Sequence, residues 1–258
     1  MNLSLEDCDE RYRSASQRAR VFTEQWVTRW AYCPSCGFAA VEKYPNNRPV
    51  ADFFCSNCSE QFELKSTKAK FGARVTDGAY DSMCCRLAAN DNPNLMLLGY
   101  DAATASVTNF LVVPKHFFVR NIVEPRKPLA VTARRAGWIG CNILLNAIPS
   151  AGKIFVITNG REHPKRSVLS KWRQTAFLRE KSPDARGWLL DVMRCVDSLN
   201  RNEFAIEDAY AFAPELQLLY PGNKHVREKI RQQLQVLRDQ NYLEFIGQGR
   251  YRLSRADQ

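Results

Sequence analysis

Asp52, Glu63 and Lys65 are the residues of this chain whose types and spacing could act together on a phosphodiester. They stand in the runs Pro49-Val50-Ala51-Asp52 and Glu63-Leu64-Lys65. In a strand alternate residues share a face, so Glu63 and Lys65 point one way with Gln61, and Phe62 and Leu64 the other. Asp52 belongs to the preceding strand, among apolar neighbours. Two carboxylates brought within a few ångströms repel unless a cation lies between them. Mg²⁺ suits Asp52 and Glu63, because it takes hard oxygen ligands and keeps several waters. Such an ion lowers the pKa of a bound water and neutralises phosphate charge. Lys65 would then orient the water or stabilise the transition state; both roles stay open. A hairpin aspartate beside an exposed Glu63–Lys65 pair is the bland alternative.

Around that hairpin stand Cys33-Pro34-Ser35-Cys36 and Cys55-Ser56-Asn57-Cys58, two C-x-x-C pairs separated by 18 residues. This spacing lets Cys33, Cys36, Cys55 and Cys58 reach one tetrahedral zinc, a structural ion that would close the turn between the carboxylates. The histidines are three, His116, His163 and His225, without metal-motif spacing. No GxxxxGK[ST] occurs, so nothing supports a nucleoside-triphosphate motor.

The elements that must position these groups alternate in type. Ser14 to Trp30 reads as a helix with Val21, Phe22 and Trp26 near one face and Arg18, Arg20 and Arg29 elsewhere. Gly78 to Ala89 reads as a second helix. The runs Leu95–Tyr100, Val107–Val113 and Ile154–Thr158 are short, apolar and bounded by turn formers, which favours strands. The expectation is an α/β unit, a mixed sheet with flanking helices. Lys181-Ser182-Pro183-Asp184 is the expected linker, dividing residues 1–182 from 183–258.

The second part reads as three helices and a hairpin. Trp188 to Leu199 has helical spacing, Glu207 to Tyr220 forms the second helix, and the third starts near Asn223. Val226, Ile230, Leu234 and Leu237 form an apolar stripe on the third, with Arg227, Arg231, Gln232, Gln235 and Arg238 opposite. Tyr242–Ile246 and Arg250–Leu253 flank Gly247-Gln248-Gly249 as a hairpin. That order is a winged helix-turn-helix, whose third helix would enter a major groove. Arginine and glutamine suit guanine and adenine edges. Protein–protein contact is the alternative use of such a domain.

The 258 residues carry a net charge of +10, which points to a polyanion. Residues 1–180 hold 25 Lys+Arg against 16 Asp+Glu, and residues 181–258 hold 12 against 11, so the first part would carry most phosphate contacts. No apolar run approaches the roughly 20 residues needed to span a bilayer. The acidic N-terminus lacks a signal-peptide pattern, and nine cysteines with metal spacing for four favour a reducing cytoplasm.

The chain resembles the DpnI-type restriction endonucleases, which cut DNA where adenine in GATC is methylated. The resemblance spans Asn47-Arg48-Pro49-Val50-Ala51-Asp52-Phe53, Phe62-Glu63-Leu64-Lys65-Ser66, Asp77-Gly78-Ala79-Tyr80 and Arg126-Lys127-Pro128-Leu129-Ala130. It continues through Thr132–Asn142 and Glu228–Gln235. It implies a PD-(D/E)xK nuclease domain followed by a winged helix, both reading the methylated site. The metal triad falls on Asp52, Glu63 and Lys65, and the zinc ligands on the four named cysteines. Alanine rather than proline precedes Asp52, a departure without chemical cost because proline is no ligand. A methyladenine-binding module with weak or no cleavage is the rival reading, and a zinc-ribbon RNA-binding protein a second.

Arg134-Arg135-Ala136-Gly137-Trp138 suits a loop that clamps phosphates beside an apolar wall. By resemblance Trp138 belongs to the methyladenine pocket; without it, a core tryptophan with two surface arginines would be the plainer reading. Burying one methyl is worth about 1 kcal/mol, so strong methyl dependence needs two methyl groups or two reading domains.

Overall fold

A computed structural model describes residues 1–5, 14–45, 51–68 and 70–254. Asn47, Arg48, Pro49 and Val50 of the resemblance lie outside the described residues, as does Cys8.

The first helix, α1 (Ala15–Trp30), starts where Ser14 accepts a hydrogen bond from the Gln17 amide at 3.2 Å. Its buried face is Thr23, Glu24, Trp26 and Val27, so a carboxylate sits in the stripe where Val21 and Phe22 were expected. Next come β1 (Glu42–Lys43), β2 (Phe53–Phe54), β3 (Gln61–Thr67), β4 (Arg74–Ala79), α2 (Tyr80–Ala89), β5 (Asn94–Asp101) and β6 (Ser106–Val113). After them follow β7 (Val123–Pro125), β8 (Gly140–Leu144), β9 (Ile154–Thr158), β10 (Arg161–Glu162) and α3 (Lys165–Gln174).

Strands β1-β2-β3-β5-β6-β9-β10 form one seven-stranded sheet in that order. It is mixed: β3 and β5 are parallel, joined by the crossover through β4 and α2, and the other pairs are antiparallel. Both faces are covered. Met96 and Leu98 of β5 pack with Trp26, Phe62 and Trp172 on one side, whereas Leu95 and Leu97 join Phe117, Ile143 and the C-terminal helices on the other. That is why β5 is a continuous apolar run. A smaller sheet, β4-β8-β7, was not legible in the sequence. Its β4 takes the first residues of the helix expected from Gly78, which begins at Tyr80.

The C-terminal part contains α4 (Pro183–Ser198), β11 (Glu203–Ala205), α5 (Ile206–Tyr210), α6 (Ala213–Leu219), α7 (Val226–Asp239), β12 (Leu243–Gly247) and β13 (Arg250–Leu253). The single helix expected from Glu207 to Tyr220 is two. Pro214 cannot donate to Tyr210 and its ring crowds that carbonyl, so α5 ends at Tyr210. The helix expected to start near Asn223 starts at Val226; Asn223 instead accepts from the His225 amide at 2.8 Å in the turn before it. The hairpin gains a third strand, in the order β11-β13-β12.

One apolar cluster runs without a break from Met83, Phe117 and Ile143 to Trp188, Leu237 and Tyr251, across the expected linker. Arg186 of α4 is buried and donates to Asn90, the left-handed residue ending α2, at 2.9 Å. A chain cut near Lys181 would therefore expose a broad apolar face.

Candidate active site

The candidate residues Asp52, Glu63 and Lys65 come together at the hairpin, Glu63 and Lys65 on one face of β3 as the strand pattern requires. Phe53 of β2 stands opposite Phe62 of β3, both fully buried. Asp52 lies one residue before β2 rather than on it. Its amide donates to the Phe62 carbonyl at 2.9 Å, and its Oδ2 accepts from the Leu64 amide at 2.8 Å. Glu63 and Lys65 project from one face of β3 and pair at 2.6 Å. Asp52, Glu63 and Lys65 line one cleft, facing Arg20, Thr23 and Glu24 of α1.

Two acidic partners were missed in the sequence. Asp77 of β4, with a side chain only 4 % exposed, takes the Lys65 ammonium at 2.6 Å. Nothing local marked it: β4 was not legible as a strand, so the buried face that Asp77 shares could not be read from the sequence. Glu24, buried in the stripe of α1, bridges Arg20 at 2.5 Å and Lys43 at 2.7 Å.

Burial pushes the Glu63 carboxyl above its ordinary range, and Asp77 and Asp52 push the same way against the opposing pull of Lys65. Burial works against the charge on Lys65, but Glu63 and Asp77 outweigh it and hold the ammonium protonated. A cation beside Glu63 would relieve the crowding of negative charge. In the structure that cation is Lys65.

The four cysteines converge as their spacing required, with all four Sγ atoms within 4.8 Å of one another. Cys33 and Cys58 approach to 3.6 Å, as do Cys36 and Cys55. Both arcs fold alike: the Gly37 amide donates to Cys33 O and the Ser59 amide to Cys55 O, each at 2.8 Å. The Cys33 amide reaches Phe38 O and the Cys55 amide reaches Glu60 O, each at 2.9 Å. Both turns need a positive φ, supplied by Gly37 at 80° and by Ser59 at 60°. Burial pushes the Cys58 thiol up to about 11, whereas at Cys36 burial is outweighed by hydrogen bonds from Asn57 and the Phe38 amide, which lower that thiol to about 7. A bound cation would favour the thiolate at both. The set fits zinc. No disulfide forms among the described residues.

Arg134, Arg135 and Trp138 lie on the loop between β7 and β8. The loop is narrow, tied by Leu129 N–H to Trp138 O and by Gly137 N–H to Leu129 O, each at 3.0 Å. Trp138 is half-buried, not core. Its ring lies so close to Gly140 that a Cβ there would come within 2.9 Å. The Arg135 guanidinium stands 4.8 Å over the indole, covering the wall expected to be bare. On α7, Arg227, Arg231, Gln232 and Gln235 are exposed. Gln232 accepts from Lys229 at 2.9 Å, and Arg227 lies 5.8 Å over the Tyr210 ring.

Among the described residues no helix is long and apolar enough to cross a membrane. Residues 1–181 match the DpnI, Dam-replacing family, and residues 184–253 match its Dam-replacing helix-turn-helix domain. A mixed α/β unit with a four-cysteine cluster and a C-terminal winged helix-turn-helix of that family makes this chain a member of the DpnI-type, Dam-replacing family.

Proposed function

We propose that the protein is a methyl-directed type II restriction endonuclease that hydrolyses double-stranded DNA at GATC sites methylated on adenine N6. Residues 1–182 would be the PD-(D/E)xK nuclease domain and residues 183–258 the DNA-reading winged helix, a division that the two family matches support. The observation that carries the reading is the half-buried cleft where Asp52, Glu63 and Lys65 meet within a chain of this family.

Asp52 and Glu63 would hold Mg²⁺, which supplies a water of lowered pKa and neutralises charge on the scissile phosphate. The Leu64 amide fixes Asp52 toward the cleft. Lys65, kept protonated by its neighbours, offers positive charge where the phosphoryl oxygens become more negative. The cysteine quartet would hold structural zinc and so set the register of the hairpin. Arg134, Arg135 and Trp138 would contact the nuclease-domain half of the site, and Arg227, Arg231, Gln232 and Gln235 the other.

One observation favours the rival, a methyladenine-DNA-binding module without cleavage: the Glu63 carboxylate is engaged by Lys65 at 2.6 Å. Incubating plasmid from adenine-methylating and non-methylating hosts with the protein, with and without Mg²⁺, separates the two. Linear fragments from methylated plasmid and Mg²⁺ alone are expected. Methyl-selective retention without cutting would select the rival.

A further inference from the structure

Lys65 has two carboxylate partners at the same 2.6 Å distance, and only one of them is a proposed metal ligand. The second, Asp77, comes from a different sheet. β3 belongs to the seven-stranded sheet and β4 to the three-stranded one, and the Lys65–Asp77 pair joins them. Asp77 has little freedom to do otherwise. Its side chain is 4 % exposed and its strand is registered against β8, with Asp77 opposite fully buried Cys141. A buried carboxylate on a paired strand is a fixed anchor, whereas Glu63 borders the open cleft and is 23 % exposed.

We propose that Asp77 is a positioning residue: it retains the Lys65 ammonium and thereby lets Glu63 exchange that ammonium for a divalent cation. This rests on the nuclease reading above. Glu63 cannot serve Lys65 and a cation equally, because each draws on the same oxygens. With Asp77 present, Lys65 keeps a charged partner at hydrogen-bond distance when Glu63 turns away, and it stays beside the reacting phosphate. Without Asp77, Glu63 is the one carboxylate at ion-pair distance from Lys65 among the described residues, and metal binding must break that pair. Supporting groups of this kind are worth roughly 10–100-fold in metal affinity or activity.

The test is Mn²⁺ binding to the DNA-free full-length protein, read from the EPR signal of free Mn²⁺, together with cleavage kinetics on methylated duplex. Asp77→Asn should weaken Mn²⁺ binding roughly 10–100-fold and lower kcat by a similar factor, with KM for DNA within about twofold. Asp77→Glu, which keeps the charge, should recover part of both. In a Lys65→Ala background the same Asp77→Asn change should cost Mn²⁺ affinity no more than about threefold, because its effect runs through Lys65.

Wild-type Mn²⁺ affinity and kcat in Asp77→Asn would overturn the inference. So would an equal loss of affinity with and without Lys65. Should Asp77→Asn fail to fold, Asp77→Glu made with and without Lys65 decides the same question: a loss of Mn²⁺ affinity seen only when Lys65 is present supports the inference, and an equal loss or none overturns it. Wild-type protein that neither binds Mn²⁺ nor cuts methylated DNA would sink the nuclease reading and this one with it. Active wild-type protein beside an unaffected Asp77→Asn sinks only this one.

Discussion

The Asp52 carboxylate is held by the backbone amide of Leu64, the residue between Glu63 and Lys65, at 2.8 Å. The side chain that leads the proposed triad is thus positioned by the strand that carries the other two, although Asp52 itself lies outside β2. Asparagine can accept the same bond through Oδ1 without the negative charge. Asp52→Asn should therefore fold as the wild type does and bind methylated duplex within about tenfold, yet lose cleavage by several orders of magnitude. Gel-shift and plasmid assays read both quantities. Cleavage at the wild-type rate would place the catalytic centre elsewhere.

The cysteine quartet predicts about one zinc per chain by elemental analysis. Cys55→Ser removes a buried ligand next to Phe54 of β2, so zinc, thermal stability and cleavage should fall together. Cys85 is exposed and outside the quartet, and Cys85→Ser should leave all three unchanged. A zinc-free Cys55→Ser protein with wild-type melting temperature contradicts the assignment.

Much of the fold and of the hairpin's residue placement is legible in the sequence, for reasons visible in particular residues. Period-two alternation put Glu63 and Lys65 on one face, and the spacing of the two C-x-x-C arcs marked the four cysteines that converge. The apolar stripe Val226, Ile230, Leu234 and Leu237 became the buried face of α7. What escaped were features with no local signature. β7, β8 and β11 are three to five residues long and exist through partners distant in sequence. Asp77 and Glu24 escaped because a single acid in a strand or helix reads as surface until its cation is known. The break at Ala211-Phe212 was readable from Pro214, whose ring forbids helix four residues back.

His116 gives the fold an acid limit. It is fully buried, with Nε2 3.1 Å from the Thr175 hydroxyl and Arg179 Nε donating to Nδ1 at 3.4 Å. Burial, then the charges of Arg179, Arg186 and Lys115, lower its pKa from 6.5 to about 3. The unfolded chain therefore takes up a proton that the folded chain refuses. The stability this neutral histidine supports is complete above pH 6.5 and is lost progressively as pH falls toward 3. The loss approaches about 1.4 kcal/mol per pH unit in that window. Urea unfolding at pH 7 and pH 5 should show a fall of about 2 kcal/mol that is absent in His116→Gln. Equal pH dependence in both proteins would show that His116 is not the group responsible.

Trp138 and Arg135 make opposite predictions, although they touch. Arg135 lies over the indole, so an adenine methyl reaches that face only once the guanidinium has moved off it, and a DNA phosphate is the anion that would take it. Arg135→Ala should then weaken binding to methylated and unmethylated duplex alike, and reduce the salt slope by about one. Trp138→Ala removes apolar surface and no charge, so its salt slope should stay as in the wild type. It should lower the ratio of cleavage at methylated over unmethylated sites about fivefold, the equivalent of about 1 kcal/mol from one methyl group. The winged helix would sustain the corresponding preference in binding. An unchanged cleavage ratio in Trp138→Ala would mean that the loop between β7 and β8 holds the backbone only, and that methyl reading rests with α7.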